Sequence, residues 1–255
     1  MQLEGRVALV TGGGRGIGRG ISELLAAEGA AVAVNYRKDE AAAAETVAAI
    51  AASGGFARAY QASIDDEAQD QAMVDGVLAD FGAVDILVHN GGIASRGKSV
   101  GDTDAAELER VVRTHALGPH FLTRMVLPSM RTRSRSDVVM ISSVATSHYA
   151  ANGAPYNMGK AALEALAFTL AKEERDNNIH VNVVAPGLVE SEMGRRLAKA
   201  GGIDDLRQLD KVSPFGRVCQ PLDVARVVLW LCSEGSGYVT GQRIECNGGG
   251  ELRSY

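Results

Sequence analysis

The stretch RVALVTGGGRGIGRGISELLAAEG, residues 6–29, decides the fold. Residues 6–10 are a short apolar run of the kind that forms a buried strand. Gly12, Gly13, Gly14, Gly16 and Gly18 follow at once, and apolar residues then recur at helical spacing over 17–28 until Gly29 stops the run. A strand that turns on glycines into a helix N-terminus makes an anion site, because the first helical amides have no partner within the helix and the dipole favours negative charge. Glycine permits both the tight turn and the close approach of backbone to a pyrophosphate. The spacing, Gly12-xxx-Gly16-x-Gly18, is not the GxGxxG of longer dinucleotide folds.

Outward from this unit the same alternation persists. Strands are expected at 6–11, 30–35, 56–62, 84–89, 137–142, 180–185 and 243–247, with helices at 40–53, 65–81, 104–130, 157–175 and 221–233. That order implies the α/β class, a parallel seven-stranded sheet with helices on both faces. No linker interrupts it, so 1–255 reads as one domain. Residues 191–215 break the alternation and are long for a connection, either a lid over a site or a plain surface insertion. Hydrophobic residues make up 46% of the chain, ample for a core, and a net charge of −5 argues against a nucleic-acid partner. Cys219, Cys232 and Cys246 lack metal-ligand spacing, so no metal is expected. The longest apolar runs fall far short of a membrane span, and no targeting segment precedes the first strand, which makes the cytoplasm the expected location.

A second motif carries chemistry. In ISSVATSHYAANGAPYNMGK, residues 141–160, Tyr156 stands thirteen residues after Ser143 and four before Lys160. Residues four apart share a helix face. A free tyrosine, with a pKa of about 10, is a poor acid at neutral pH. A nearby ammonium is expected to lower it toward the range where a general acid works best. Ser143, closing the fifth strand, is placed to hydrogen-bond the same carbonyl oxygen. Taken alone, Tyr156 and Lys160 also fit an ordinary surface pair.

Together these segments resemble the compact type of the short-chain dehydrogenase/reductase family over about residues 3–249. TGGGRGIGRG (11–20) is similar to the family's TGxxxGIG loop, DILVHNGG (85–92) to its DxLVNNAG segment with His89 and Gly91 as departures, and VAPGLVES (184–191) to the PGxxxT segment. Ser143, Tyr156 and Lys160 fall on the Ser–Tyr–Lys triad, and YVTGQRIECNGG (238–249) on the C-terminal strand region. The resemblance implies a Rossmann-like, doubly wound fold and a nicotinamide cofactor. It carries cofactor contacts to Gly12, Arg15, Gly16, Ile17, Gly18, Ser63, Ile64, Asn90, Gly91, Gly92, Tyr156, Lys160, Pro186, Gly187, Val189 and Ser191. It also implies a lid at 191–215 and a homotetramer built on helices 104–130 and 157–175 and the C-terminal strand region.

In an NAD-selective site an acidic side chain ends the second strand and binds the ribose diol. Here that position is Tyr36, followed by Arg37, with Arg15 in the glycine loop. Two guanidiniums suit a 2′-phosphate, so NADPH is expected. The alternative for Arg37 is a solvated surface charge. The family's aspartate beside the adenine is replaced by Ser63-Ile64.

His115, twenty-eight residues before Ser143, stands where the family often has the asparagine that holds a proton-relay water. Imidazole titrates near neutrality, so His115 either joins the catalytic set or merely fills a helix. Arg96, His148, Tyr149, Asn152 and Met193 are candidate substrate contacts, an apolar and aromatic lining suited to a flat ligand. His89 is expected to pack behind the Asn90 turn. With 141–160, HNGGIASRGKSV (89–100) and SPFGRVCQPLDV (213–224) add a resemblance to angucycline-type aromatic polyketide ketoreductases, which implies a small-molecule aromatic ketone, tetracyclic and quinone-like, reduced at one ring carbonyl, with 190–193 controlling its face. A 3-oxoacyl thioester reductase is the alternative and calls for a basic patch for a carrier protein, near 131–135. A cofactor-binding sensor without turnover is a third reading.

Overall fold

Val7–Val10 (β1) is an interior strand of the sheet and faces both ways: Ala8 and Val10 pack into one hydrophobic cluster and Leu9 into the other. A strand covered on both faces needs apolar residues at every position, which is why VALV reads as a continuous run. The computed structural model describes residues 1–250, so the last five residues of the expected domain lie outside the described residues. In chain order the further elements are α1 (Gly16–Ala27), β2 (Ala31–Tyr36), α2 (Glu40–Ala52), β3 (Phe56–Gln61), α3 (Glu67–Phe81), β4 (Ile86–His89), α4 (Ala105–Val112), α5 (Gly118–Met130), β5 (Ser136–Ile141), α6 (Ala145–His148), α7 (Ala154–Glu174), β6 (Ile179–Pro186), α8 (Glu192–Ala200), α9 (Pro221–Leu231) and β7 (Arg243–Cys246). The strands form one seven-stranded sheet in the order β3-β2-β1-β4-β5-β6-β7, every pairing parallel. The Rossmann-like, doubly wound architecture expected from the sequence is the one observed. Helices α1 and α9 cover one face, α3, α5 and α7 the other. The strand order reverses between β1 and β4, and in such sheets ligands bind beyond the carboxyl ends at that point.

Three expectations change in detail. The single helix expected over 104–130 breaks into α4 and α5 around a π-helical turn, Arg113–Leu117, that contains His115. Pro119 has no N–H to give the His115 carbonyl, and Thr114 Oγ1 donates to the Arg110 carbonyl at 2.8 Å, so the regular ladder opens there. Gly118 brings its backbone so close to the segment after β3 that a Cβ would lie 1.9 Å from the Ile64 carbonyl oxygen. Helix α7 starts at Ala154, with Pro155 in its first turn, so Tyr156 is itself helical. The 191–215 segment is not a plain loop. Ser191 caps α8 by accepting from the Gly194 amide, and Ala198, Leu206 and Val218 form a small hydrophobic cluster of their own.

The opposite edge of the sheet, where the strands begin, is held by buried charge. Asp137, 1% exposed at its side chain, binds Arg6 at 2.6 Å and Arg135 at 3.0 Å. Asp85 accepts from the Val7 amide at 2.9 Å and from Arg133 at 2.6 Å. Removing one partner of a buried pair strands the other charge, at a cost of about 3–5 kcal/mol. Asp137→Ala should therefore lower the unfolding free energy by about that amount in a denaturant titration.

Candidate active site

At the carboxyl edge the chain ties its own glycine loop down. Thr11 Oγ1 accepts from the amides of Asn90 and Gly91, each at 2.9 Å, and Asn90 Nδ2 donates to the carbonyls of Thr11 and Gly12. Asn35, at the end of β2, was not singled out by sequence reasoning. It is buried, accepts from the Gly12 amide at 3.1 Å and donates across to the Tyr60 and Ala62 carbonyls. An asparagine ending a strand just before the ribose-binding position was the only available sign of it. Gly12 and Gly16 have φ of 59° and 54°, and a Cβ on Gly18 would sit 2.1 Å from the Gly12 carbonyl oxygen. Arg15 occupies the N-cap of α1 with no side-chain cap and no acidic residue in the first turn, which leaves those amides for an external acceptor. These residues fit the pyrophosphate of a dinucleotide.

Beyond β5, the residues Ser143, Tyr156, Lys160 and His115 come together. The Tyr156 phenol is hydrogen-bonded with Ser143. Lys160 is 4% exposed, its Nζ donates to the Ile141 carbonyl at 2.7 Å, and it lies 5.8 Å from the Tyr156 ring centre. Burial pushes the Lys160 ammonium down to about 8, against the opposing pull of the Glu164 carboxylate. The expected lowering of the tyrosine is not observed in this arrangement. Burial pushes the phenol up and only the bond with Ser143 pulls it back, because Nζ is turned toward a backbone carbonyl rather than the phenol oxygen.

His115 packs edge-on against Tyr156, ring centres 5.2 Å apart, with Nε2 2.7 Å from the Ile93 carbonyl and Nδ1 buried without a partner. Gly92 and Gly159 make room for it: a Cβ would fall 2.6 Å and 2.8 Å from the imidazole side chain. Its expected titration near neutrality is overturned, since burial, helped by the Lys160 charge, pushes it down to about 3. His89 behaves as a packed residue should, with Nε2 2.8 Å from Thr123 Oγ1. Sequence reasoning also missed what stands behind Ser143. Glu164 Oε1 accepts from Ser142, Thr146 and Arg243, and Arg243 reaches the Ser143 carbonyl. Glu164 stands one turn beyond Lys160 and was legible by spacing, whereas Arg243 comes from a strand 79 residues away.

The remaining candidates divide. Pro186 and Gly187 end β6 and Val189 bridges to Cys219, beside the carboxyl edge. Ile17 packs on the core at the start of α1. Ile64 lies under Gly91, where a Cβ would meet its Cδ1 at 2.7 Å. Ser63 is engaged with Asp65 rather than free. The Ser191 hydroxyl is spent on the α8 cap. Tyr36 is half-buried and Arg37 exposed at the end of β2. Arg15 pairs with Glu192 at 2.6 Å and Asp39 at 3.4 Å. The five substrate candidates do not form one wall. Arg96 leans on Asp104 and Glu107 of α4, an acidic pair that draws it from the pocket. Tyr149 and Asn152, both at positive φ, line a cavity of about 420 Å³ with Val100 and Met158. His148 and Met193 lie outside that lining, Met193 exposed on α8.

A family model described as enoyl-(acyl carrier protein) reductase matches residues 12–251. The chain belongs to the short-chain dehydrogenase/reductase family. It is 35% identical over 256 residues to versicolorin reductase stcU of Emericella nidulans, covering 97% of this chain and 96% of the relative. Among solved structures, angucycline C-6 ketoreductase LanV with bound NADP is 31% identical with a TM-score of 0.88, covering 97% of this chain and 96% of LanV. A 7α-hydroxysteroid dehydrogenase complexed with NADH and 7-oxo glycochenodeoxycholic acid is 31% identical with a TM-score of 0.89, covering 99% of this chain and 97% of that one. The protein is accordingly an oxidoreductase working between carbonyl and alcohol. Among the described residues no helix is long and apolar enough to cross a membrane.

Proposed function

We propose that the protein is an NADPH-dependent ketoreductase that reduces one carbonyl of an angucycline-type aromatic polyketide to a secondary alcohol in antibiotic biosynthesis. The observation that carries the reading is the Tyr156 phenol, hydrogen-bonded with Ser143 and with buried Lys160 one helical turn on, at the same sheet edge as the glycine cradle. The bound nicotinamide supplies the hydride. Ser143 and Tyr156 hold the substrate oxygen and stabilise its developing charge, and Tyr156 gives it a proton. Lys160 supports the resulting phenolate with its ammonium. That charge is complete well below pH 8 and lost above it, so the rate of reduction should fall as pH rises through about 8. With its pKa near 3, His115 stays neutral, and its part in the relay is the acceptor Nδ1, which can hold a water, rather than an acidic proton.

The substrate class is supported by the two reductases above, one named for versicolorin and one for an angucycline. A thioester reading has the family model's description in its favour. Against it, the expected basic patch is consumed: Arg131 pairs with Glu174, Arg133 with Asp85 and Arg135 with Asp137. Those pairs leave little free positive charge for an acidic carrier. The 191–215 segment, rooted at Ser191 and carrying Met193, would serve as the substrate lid. The cytoplasm, which keeps Cys219, Cys232 and Cys246 reduced, suits the chain.

Supplied with an angucycline-type ketone, the protein should oxidise NADPH, and an acetoacetyl thioester in parallel should give little turnover. The reverse pattern would move it to thioester reduction. Tyr156→Phe should cut the rate by roughly 10²–10⁴ with NADPH affinity nearly unchanged.

The cofactor preference rests on Arg37, exposed beside Tyr36 and without an ion pair among the described residues. The neighbours leave it open, one holding NADP and the other NADH. NADPH should give the larger kcat/KM, and Arg37→Ala should erode that preference by about tenfold or more through loss of a charge-assisted bond. A wild-type preference for NADH would remove the NADPH assignment.

A homotetramer built on α4, α5 and α7 is also proposed. Leu117, in the π turn between α4 and α5, and Met158 on α7 are 43% and 52% exposed, apolar surface that a second copy would cover. Light scattering should give about four times the 26.7 kDa chain mass, and a monomer would contradict it.

A further inference from the structure

We propose that Glu164 and Arg243 are positioning residues for the reduction: together they hold the Ser143 turn against the Tyr156 phenol and keep a carboxylate one helical turn from Lys160. The inference rests on the ketoreductase reading for its kinetic consequences but stands on its own geometry.

Tyr156, Lys160 and Glu164 follow one another at intervals of four along α7, so they form one stripe. The first two face the site, and the third continues the stripe under the Ser143 turn. Glu164 is 12% exposed at its side chain and gathers three donors on Oε1: Ser142 Oγ at 2.5 Å, Thr146 Oγ1 at 2.7 Å and Arg243 Nε at 3.0 Å. Arg243, 19% exposed, spreads its remaining nitrogens over the same turn. Nη2 donates to the Ser143 carbonyl at 3.3 Å and to Thr146 Oγ1 and Ser147 Oγ at 3.0 Å each, and Nη1 pairs with Glu245. Residues 142–147 are thus strapped from below by α7 and from the side by β7. Only a planar fork can reach a carboxylate, a carbonyl and two hydroxyls at once. Within the turn, the Ser143 hydroxyl accepts from the Ala145 amide at 3.2 Å, which sets its direction.

The charge of the pair matters separately. Lys160 is packed among uncharged groups: His115 from the π turn and His89 from the end of β4 are neutral, the Tyr156 phenol lies on its own helix, and β5 offers the Ile141 carbonyl as an acceptor. Glu164 is the anion acting on it, and Arg243, itself held by Glu245, partly offsets that anion.

Two conservative variants separate the two roles. Arg243→Lys keeps a cation for Glu164 and loses the fork. It should lower kcat about tenfold, the worth of one or two such hydrogen bonds, with the pH profile and NADPH affinity unmoved. Amide hydrogen exchange at Ala145 and Thr146 should quicken in the same variant. Glu164→Gln keeps the acceptor and loses the charge. It should move the high-pH limb of kcat to lower pH by about one unit, with the plateau kcat close to wild type. Unchanged exchange and kcat in Arg243→Lys, an unmoved limb in Glu164→Gln, or a rise in KM alone in both would overturn the proposal. Should the wild type reduce no carbonyl at all, the ketoreductase reading falls. The exchange rates, together with a carbon-13 titration of Lys160 in wild type and Glu164→Gln, would then decide the positioning pair without turnover.

Discussion

The bond between two strand ends, Thr11 to Asn90, is what the rest of the site hangs on. Thr11 closes β1 and Asn90 follows β4, so their mutual hydrogen bonds span the place where the strand order reverses. A crevice at that place is unavoidable, because consecutive crossovers leave the sheet in opposite directions. The same contacts hold the Gly12 carbonyl, against which Gly18 must pack without a side chain. The cradle is therefore rigid before any ligand arrives, and Asn35 locks it from the side of β2. Preorganised donors cost nothing further to orient when charge develops near them.

Burial then sets the electrostatics. Lys160 sits inside the fold, 4% exposed, which is why its ammonium is easier to lose than a free lysine's. The same burial raises Tyr156 and holds His115 and His89 neutral. Four titratable groups are thus moved by one cause, and Glu164 opposes it at Lys160. The opposite edge of the sheet follows the other logic: Asp85 and Asp137 are buried but fully paired with arginines, so charge there braces the structure and is not free for chemistry. This is also why a run of arginines that reads in the sequence as a patch for an acidic partner is no such patch in the fold.

Much of this was legible from residue order. Period and punctuation place every strand of the sheet to within two residues, because buried parallel strands and amphipathic helices impose different spacings on apolar residues. Glycine-loop and Tyr156–Lys160 spacings are local, and local geometry carries over directly from sequence. What was hidden depends on contacts across distance. The π turn at His115 arises from Pro119, Thr114 and the approach of Gly118 to Ile64, no one of which announces it. Arg96 and Tyr149 looked equivalent as pocket candidates, yet Arg96 is engaged by Asp104 and Glu107 while Tyr149 lines a cavity with residues of α7.

By itself the sequence determined the class of fold, the glycine turn into a helix N-terminus and the spacing of Ser143, Tyr156 and Lys160, since each rests on residues close together in the chain. Only the tertiary structure decided the charge states of those groups, the partners that hold Ser143, and which arginines remain free to meet a phosphate. Those depend on burial and on side chains brought together from a hundred residues apart or more, as Arg243 is to Ser143 and Arg15 to Glu192. A linear pattern does not encode a dielectric environment; packing creates it.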